Sequence, residues 1–368
     1  MKIAILGIKT LPAFAGADRV VESLLENLPH ENKYDIYLLK NEAEQLSCTD
    51  RMHYIYVPAI GGKHLRPFIF FLLCTFHFLF KGNADIVHVH NSDFGLFVPI
   101  LKLKRKAKIV GTFHGNPYER GKWNALAKLY FKFSELLFFH FCDALTSVSK
   151  RESKRKKGVK YIPNGVDFFS EGTLSGRFDF SKFNLELNNY FLFACGRLDS
   201  TKGLHHLLDA YLNGGFAEKL LVIGDFSHDL KYVKQIRETA SKSDRIIIHD
   251  RLLSKGDLIE VLKHCRVFVF PSEVEAMSMM LLEAISCKKV VICSDIEQNV
   301  EVVGRDYKYL FSIVKKNDLL QKMRMALQDE KQEEMMERLF ERCAAKYKWS
   351  SIAEEYTQVF EGVMLSAT

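Results

Sequence analysis

The chain lacks any Cys-x-x-Cys pair, although 8 of its 368 residues are cysteine. Cys48, Cys74, Cys142, Cys195, Cys265, Cys287, Cys293 and Cys343 stand far apart, mostly inside apolar runs, which excludes thiolate metal sites of ordinary spacing. They read as buried free thiols in a reducing compartment. A secretory signal is also missing: Met1-Lys2-Ile3-Ala4-Ile5-Leu6-Gly7 enters a strand pattern directly, without an apolar segment and a small-residue cleavage site. The expected location is cytoplasmic. No apolar run approaches the roughly 20 residues that a bilayer-spanning helix needs. The longest, Phe68 to Phe80, is broken by Thr75 and His77 and suits a packed core helix or an interfacial one. Two nucleotide fingerprints are absent as well, GxGxxG and GxxxxGK followed by Ser or Thr.

What is present begins with charge. The formal net charge is +7, and the excess lies in Lys102 to Lys108 and Lys150 to Lys160. Neither run is interleaved with aromatics, so no nucleic-acid partner is expected. An anionic membrane surface fits better, and peripheral attachment to the inner face of the cell membrane is the expectation; a solvated helix face and a charged loop are the alternative.

Single cores stop growing at about 250–300 residues, so this length points to two domains. In the first half, β-rich runs at Ile3–Leu6, Asp35–Leu39, Tyr54–Val57, Ile86–His90, Ile109–Phe113 and Ala144–Val148 alternate with helical patterns at Asp18–Leu28, Pro67–Phe80 and Leu126–Phe141. That alternation implies a parallel sheet covered by helices. A second alternation has strands at Tyr190–Cys195, Leu220–Gly224, Arg245–His249, Val267–Phe270 and Val290–Cys293. Helical patterns separate these strands, and the chain ends in helices, the last opened by a Ser350 cap. The expected division is a Rossmann-like domain over 1–170, a linker over 171–189, a second Rossmann-like domain over 190–345, and a C-terminal helix over 346–368 that packs back on the first. Two such α/β domains in tandem would face a cleft, with ligands outside the carboxyl ends of the strands.

Three stretches after strands carry chemistry. The first is Gly7 to Asp18, where Ala15-Gly16-Ala17 opens a helix and its N–H groups suit an anion; a tight turn at Gly16 is the plainer reading. The second is Gly196-Arg197-Leu198-Asp199-Ser200-Thr201-Lys202-Gly203. Its two cations suit a diphosphate, Arg197 by bidentate contacts and Lys202 as a compact charge. The third runs from Val267 to Ser286 and holds Glu275 in a loop and Glu283 among Leu281, Leu282, Ala284 and Ile285. A carboxylate in an apolar segment needs partners. Vicinal sugar hydroxyls or a neighbouring lysine would serve. Glu273 reads as solvated.

Glu275 to Glu283 reproduces an EX7E motif, and with GRLDSTKG it makes the chain resemble glycosyltransferase family 4 of the GT-B fold. His114-Gly115, Ile162-Pro163-Asn164-Gly165-Val166-Asp167 and Asn299-Val300-Glu301-Val302 extend the resemblance over nearly the whole chain. The segment from His114 to Trp123 and the stretch from Glu275 to Ala284 look most like the bacterial rhamnosyltransferase-like branch. Met277-Ser278 stands where many members carry Phe-Gly, and the first loop has Ala15-Gly16 for the usual double glycine.

The resemblance implies a retaining, metal-independent transferase that needs no cofactor. It would move a hexose or deoxyhexose from a nucleoside-diphosphate sugar to a glycan or lipid-linked acceptor, in bacterial surface polysaccharide assembly. Arg197 and Lys202 would hold the diphosphate, Glu283 the ribose, Glu275 a sugar hydroxyl, and His114 would lie beside the transferred sugar. Ala15, Gly16, Gly196, Met277, Ser278, Met279 and Leu282 would complete the donor site. The absence of any DxD triplet agrees with metal independence. A sugar-nucleotide epimerase of the same fold and a non-catalytic two-domain binding protein are the rival readings.

Overall fold

The computed structural model describes residues 1–13, 16–40, 42–62, 65–115, 118, 124–168, 177–277 and 279–366. They form two compact units, Met1–Asn164 with Trp349–Thr368, and Gly165–Lys348.

The first unit is built on a parallel sheet of β1 (Lys2–Leu6), β2 (Lys33–Leu39), β3 (Met52–Val57), β4 (Ile86–His90), β5 (Lys108–Phe113), β6 (Ala144–Ser147) and β7 (Val159–Tyr161), in the order β3-β2-β1-β4-β5-β6-β7. Every residue of β4 is buried, as expected for a central parallel strand covered on both faces. Its helices are α1 (Gly16–Asn27), α2 (Leu65–Lys81), α3 (Val98–Leu101), α4 (Ala125–Phe141) and α5 (Lys150–Arg155). Asn124 caps α4 by accepting from Ala127 N at 2.9 Å.

Helix α2, which carries the apolar run, has two faces. Phe70, Phe71, Cys74 and Phe78 enter the core beside Leu6, Tyr37, Val87 and Phe94, while Leu65, Leu73, Phe76 and Phe80 are exposed. A second outward apolar stripe runs along α4 through Leu126, Leu129, Phe133 and Leu136. The basic runs are partly consumed within the fold. Lys104 donates to the carbonyls of Phe78, Leu79 and Gly82 at the end of α2, Lys102 pairs with Asp143, and Lys156 pairs with Glu135.

The second unit repeats the plan with β8 (Tyr190–Arg197), β9 (Lys219–Asp225), β10 (Ile246–His249), β11 (Val267–Phe270), β12 (Val290–Ser294) and β13 (Leu310–Phe311), parallel in the order β10-β9-β8-β11-β12-β13. Its helices are α6 (Leu204–Gly214), α7 (Leu230–Ala240), α8 (Lys255–His264), α9 (Met279–Ser286), α10 (Glu297–Val303), α11 (Asp318–Gln328) and α12 (Gln332–Lys346). Asp229 and Ser254 cap α7 and α8 through Tyr232 N and Asp257 N.

The last helix, α13 (Trp349–Leu365), belongs to the first unit and starts one residue before the expected Ser350. Trp349, Ile352, Ala353, Tyr356, Phe360 and Val363 form its buried stripe. The unit boundaries differ from those expected. The first unit ends at Asn164, because Val166 N donates to Tyr347 O at 2.7 Å within the second. Of the expected linker, 171–176 lie outside the described residues, and 177–189 are part of the second unit. There Phe178 stacks on Phe183 and Phe180 meets Tyr190 and His264, an aromatic cluster without periodicity that sequence patterning could not register.

Candidate active site

Strand order reverses in each sheet between its first and fourth strands, at β1 and β4 and again at β8 and β11. Loops at the carboxyl ends of such strands are the ligand positions of open α/β sheets. The two units build these loops alike. Gly203, with φ +66°, passes so close to β11 that a Cβ would stand 2.0 Å from Pro271 O. Gly7, with φ +93°, passes His90 O at the end of β4 just as closely, again at 2.0 Å. Only glycine permits both the conformation and the approach.

In the second unit β8 runs out through a half-buried Gly196 into an exposed Arg197. Asp199 folds the following turn by accepting from Thr201 N at 3.1 Å, which leads Lys202 into the site before α6 begins. From the other side, Glu273 N donates to Thr201 O at 2.8 Å and ties the loop after β11 to this turn. That loop is fastened underneath as well. Ser294 Oγ donates to Ser272 O, and Asn299 Nδ2 donates to Ser294 Oγ at 2.9 Å.

The outcome is a direct contact between two residues chosen from sequence. Lys202 Nζ donates to Glu275 Oε1 at 2.6 Å, with both side chains largely buried. No ion pair of Arg197 is found among the described residues, so the turn keeps an unneutralised positive charge at its edge. Glu283 is buried at 3% exposure in the middle of α9. Met277 is buried at the end of the loop and Met279 opens α9 half-buried, while Leu282 has no exposed surface and packs as core. Ser278 lies outside the described residues.

In the first unit the loop after β1 is held by two carboxylates of α1. Asp18 accepts from Lys9 N at 3.3 Å and Thr10 N at 3.1 Å, and Glu22 accepts from Ala13 N at 3.1 Å. Burial pushes the Asp18 carboxyl up, against the lowering effect of those Thr10 and Lys9 bonds. Three loop amides are therefore already satisfied, which narrows the anion-binding expectation to the helix start at the exposed Gly16. Ala15 and the segment 119–123 lie outside the described residues, and with them the Lys122-Trp123 part of the motif.

His114 is joined to a histidine that belongs to none of the sequence motifs. His90 Nδ1 and His114 Nε2 are 3.0 Å apart, and the His88 and His90 rings lie 4.0 Å apart along β4. His88 Nε2 bonds Thr112 Oγ1 at 2.7 Å, which bonds Thr146 Oγ1 at 2.8 Å. Tyr356 and Phe360 of α13 cover His88. Burial holds all three imidazoles neutral: His114 is pushed down to about 4, His88 to about 3 and His90 well below its ordinary value. The signal for His88 and His90 was their spacing of two in the run Ile86–His90, which puts both on one face of a strand.

Comparison with known proteins bears on all of this chain. Residues 14–168 match the family model described as Glycosyltransferase Family 4, and residues 176–341 match the one described as Glycosyl transferases group 1. The chain is 28% identical over 328 residues to the UDP-Gal:alpha-D-GlcNAc-diphosphoundecaprenol alpha-1,3-galactosyltransferase of Escherichia coli, with 83% of each chain covered. It is 25% identical over 276 residues to the capsular polysaccharide biosynthesis glycosyltransferase CapH of Staphylococcus aureus, covering 72% of this chain and 71% of that one. Among solved structures, sucrose-phosphate synthase from Thermosynechococcus elongatus superposes with a TM-score of 0.80 at 17% identity over 100% of both chains. Anabaena HepE in complex with UDP and glucose gives 0.77 at 15% identity over 98% of this chain and 100% of that one. At those identities the likeness is one of fold.

Proposed function

The chain belongs to glycosyltransferase family 4, and on that premise we propose that its second unit binds a nucleoside-diphosphate sugar whose glycosyl group passes, with retention of configuration, to a lipid-linked or glycan acceptor. The observation that carries this reading is the Lys202–Glu275 contact at the switch point of the second sheet, with Arg197 exposed beside it. Lys202 has three N–H donors and gives one to Glu275, so two remain for phosphate oxygens. Arg197 would add a bidentate contact.

Breaking the anomeric carbon–oxygen bond places negative charge on the departing phosphate. Cations fixed before the reaction stabilise that charge more in the transition state than in the ground state. In this reading the phosphate oxygen itself takes the acceptor proton, so neither a protein nucleophile nor a metal is required. Glu283 would accept from the ribose hydroxyls and Glu275 from a sugar hydroxyl, and His114 in the first unit is assigned a hydrogen bond to a sugar. A uridine nucleotide is the donor to try first, because the Escherichia coli relative is named for UDP-galactose and the Anabaena neighbour holds UDP.

The acceptor reading draws on the diphosphoundecaprenol in the name of that relative and on the capsular role in the name of CapH. It also draws on the outward apolar stripes of α2 and α4 in the first unit, with Lys81, Lys128 and Lys132 alongside, a combination suited to an anionic lipid surface. No helix among the described residues is long and apolar enough to cross a membrane. The test is transfer of radiolabelled sugar from UDP-galactose, UDP-glucose and their N-acetylated forms to undecaprenyl-diphosphate-linked acceptors, with the anomeric configuration of the product read by NMR. Hydrolysis or epimerisation of the donor with no transfer to any acceptor would defeat it.

A further inference from the structure

Beside the donor loops lies a group of side chains with no part in the reading above. His205 and His206 are the second and third residues of α6, which begins at Leu204 after Gly203, and Glu273 sits in the loop after β11. Both imidazoles aim Nε2 at the same carboxylate oxygen: His206 Nε2 is 2.9 Å and His205 Nε2 3.4 Å from Glu273 Oε1. One ligand atom from each of the three residues lies within 4.8 Å of the other two. We propose that His205, His206 and Glu273 form a binding site for a divalent transition metal of the zinc type.

The geometry suits such an ion. Bonds of about 2.0–2.2 Å to nitrogen and oxygen in a tetrahedral shell set neighbouring ligand atoms roughly 3.3–3.5 Å apart. Of the two separations from Glu273 Oε1, the 3.4 Å one falls within that spacing and the 2.9 Å one is a few tenths of an ångström short of it, so small side-chain shifts adjust both contacts to a cation. Two histidines and one glutamate leave a fourth position for water. His205 also has an outer partner, since its Nδ1 is 2.9 Å from Tyr232 Oη. With Nδ1–H donating to that oxygen, Nε2 is the ligating nitrogen, the arrangement that fixes tautomer and ring orientation at metal sites.

The consequence concerns the loops. Glu273 is two residues from Glu275, and His205 is three from Lys202, so a shared ion clips together the two segments that carry the Lys202–Glu275 contact. The site stiffens the donor loops and takes no part in bond breaking.

The experiment titrates Zn2+ into the chelator-treated, full-length Cys48→Ser protein, which lacks the exposed cysteine, against a chromophoric chelator, and follows thermal unfolding in parallel. One Zn2+ per chain with a Kd of 10 μM or tighter and a raised Tm is expected. His206→Ala and the isosteric Glu273→Gln should each weaken binding at least tenfold, and Tyr232→Phe about tenfold through loss of the outer partner. Co2+ in the same protein should give the visible absorption of a four-coordinate ion, lost in His206→Ala. No binding tighter than millimolar, or unchanged affinity in folded His206→Ala and Glu273→Gln, overturns the proposal.

Discussion

Lys202 Nζ and Glu275 Oε1 meet at 2.6 Å, although 73 residues separate them and each belongs to a different loop of the second unit. Glu275 orients the ammonium and limits its net charge, while Arg197 stays unpaired among the described residues. Lys202→Ala is therefore expected to lower kcat about 10²-fold, the usual cost of removing one fixed charge from a developing anion, with a smaller change in donor KM. Glu275→Gln keeps the shape but loosens the ammonium, and it should lower kcat in the same direction. Steady-state kinetics with saturating acceptor reads both.

Glu283 lies within α9, between Leu282 and Ala284, both without exposed surface. If it receives the ribose hydroxyls, Glu283→Gln removes charged hydrogen bonds worth about 1.5–3 kcal/mol. The nucleoside diphosphate should then bind roughly 10- to 100-fold more weakly, by calorimetry. An unchanged Kd in a folded variant would remove Glu283 from the site.

The close passage of Gly203 over Pro271 predicts a stability effect that has a built-in control. Gly203→Ala meets both a left-handed φ of +66° and a carbonyl oxygen at 2.0 Å, whereas Gly215→Ala meets a φ of +62° with open space around it. Denaturant unfolding should show a loss of about 1 kcal/mol for Gly215→Ala and clearly more for Gly203→Ala. Equal losses would mean that the approach to Pro271 costs nothing.

The neutral imidazoles of the first unit make stability depend on pH. His88, His90 and His114 bind protons near their ordinary value when unfolded but only far lower when folded. Between about pH 6.5 and 4 the unfolded chain therefore takes up more protons, and the stability present above 6.5 falls as pH falls. His88→Gln should reduce the slope of unfolding free energy against pH in that window by about one proton. An unaltered slope would show that His88 ionises freely in the fold.

Activity should survive excess chelator, because the proposed stabilisation of the leaving phosphate uses Arg197 and Lys202 alone. A divalent ion at His205, His206 and Glu273 would raise Tm without being needed for turnover. Loss of all transfer on chelation, restored by Mg2+ or Mn2+, would contradict this mechanism.

The sheets were legible because their strands are short, β-branched and separated by amphipathic helices; Ile86–His90 and Val267–Phe270 have the limits that patterning gave. Elements of a few residues were not, as with Val159–Tyr161 and Leu310–Phe311, since two or three residues carry no period. The Lys202–Glu275 contact was half legible. The motifs supplied both residues, but their assignment to separate partners, phosphate and sugar, gave no hint that the side chains bond each other. The His88–His90–His114 cluster was hidden for a different reason: two members lie on β4 and the third just after β5, and they become neighbours only through the register of those strands. The linker was misplaced because the half-buried Phe178, Phe180 and Phe183 pack by ring contacts without alternation.

The central claim is that the switch-point loops of the second unit hold a nucleoside diphosphate. Calorimetric titration of uridine, guanosine and thymidine diphosphates into the wild type and into an Arg197→Ala, Lys202→Ala double variant tests it most directly. The account predicts that one of the three binds the wild type with micromolar affinity and binds the double variant at least 100-fold more weakly. Equal affinity in both proteins, or no binding of any of the three to the wild type, would contradict it.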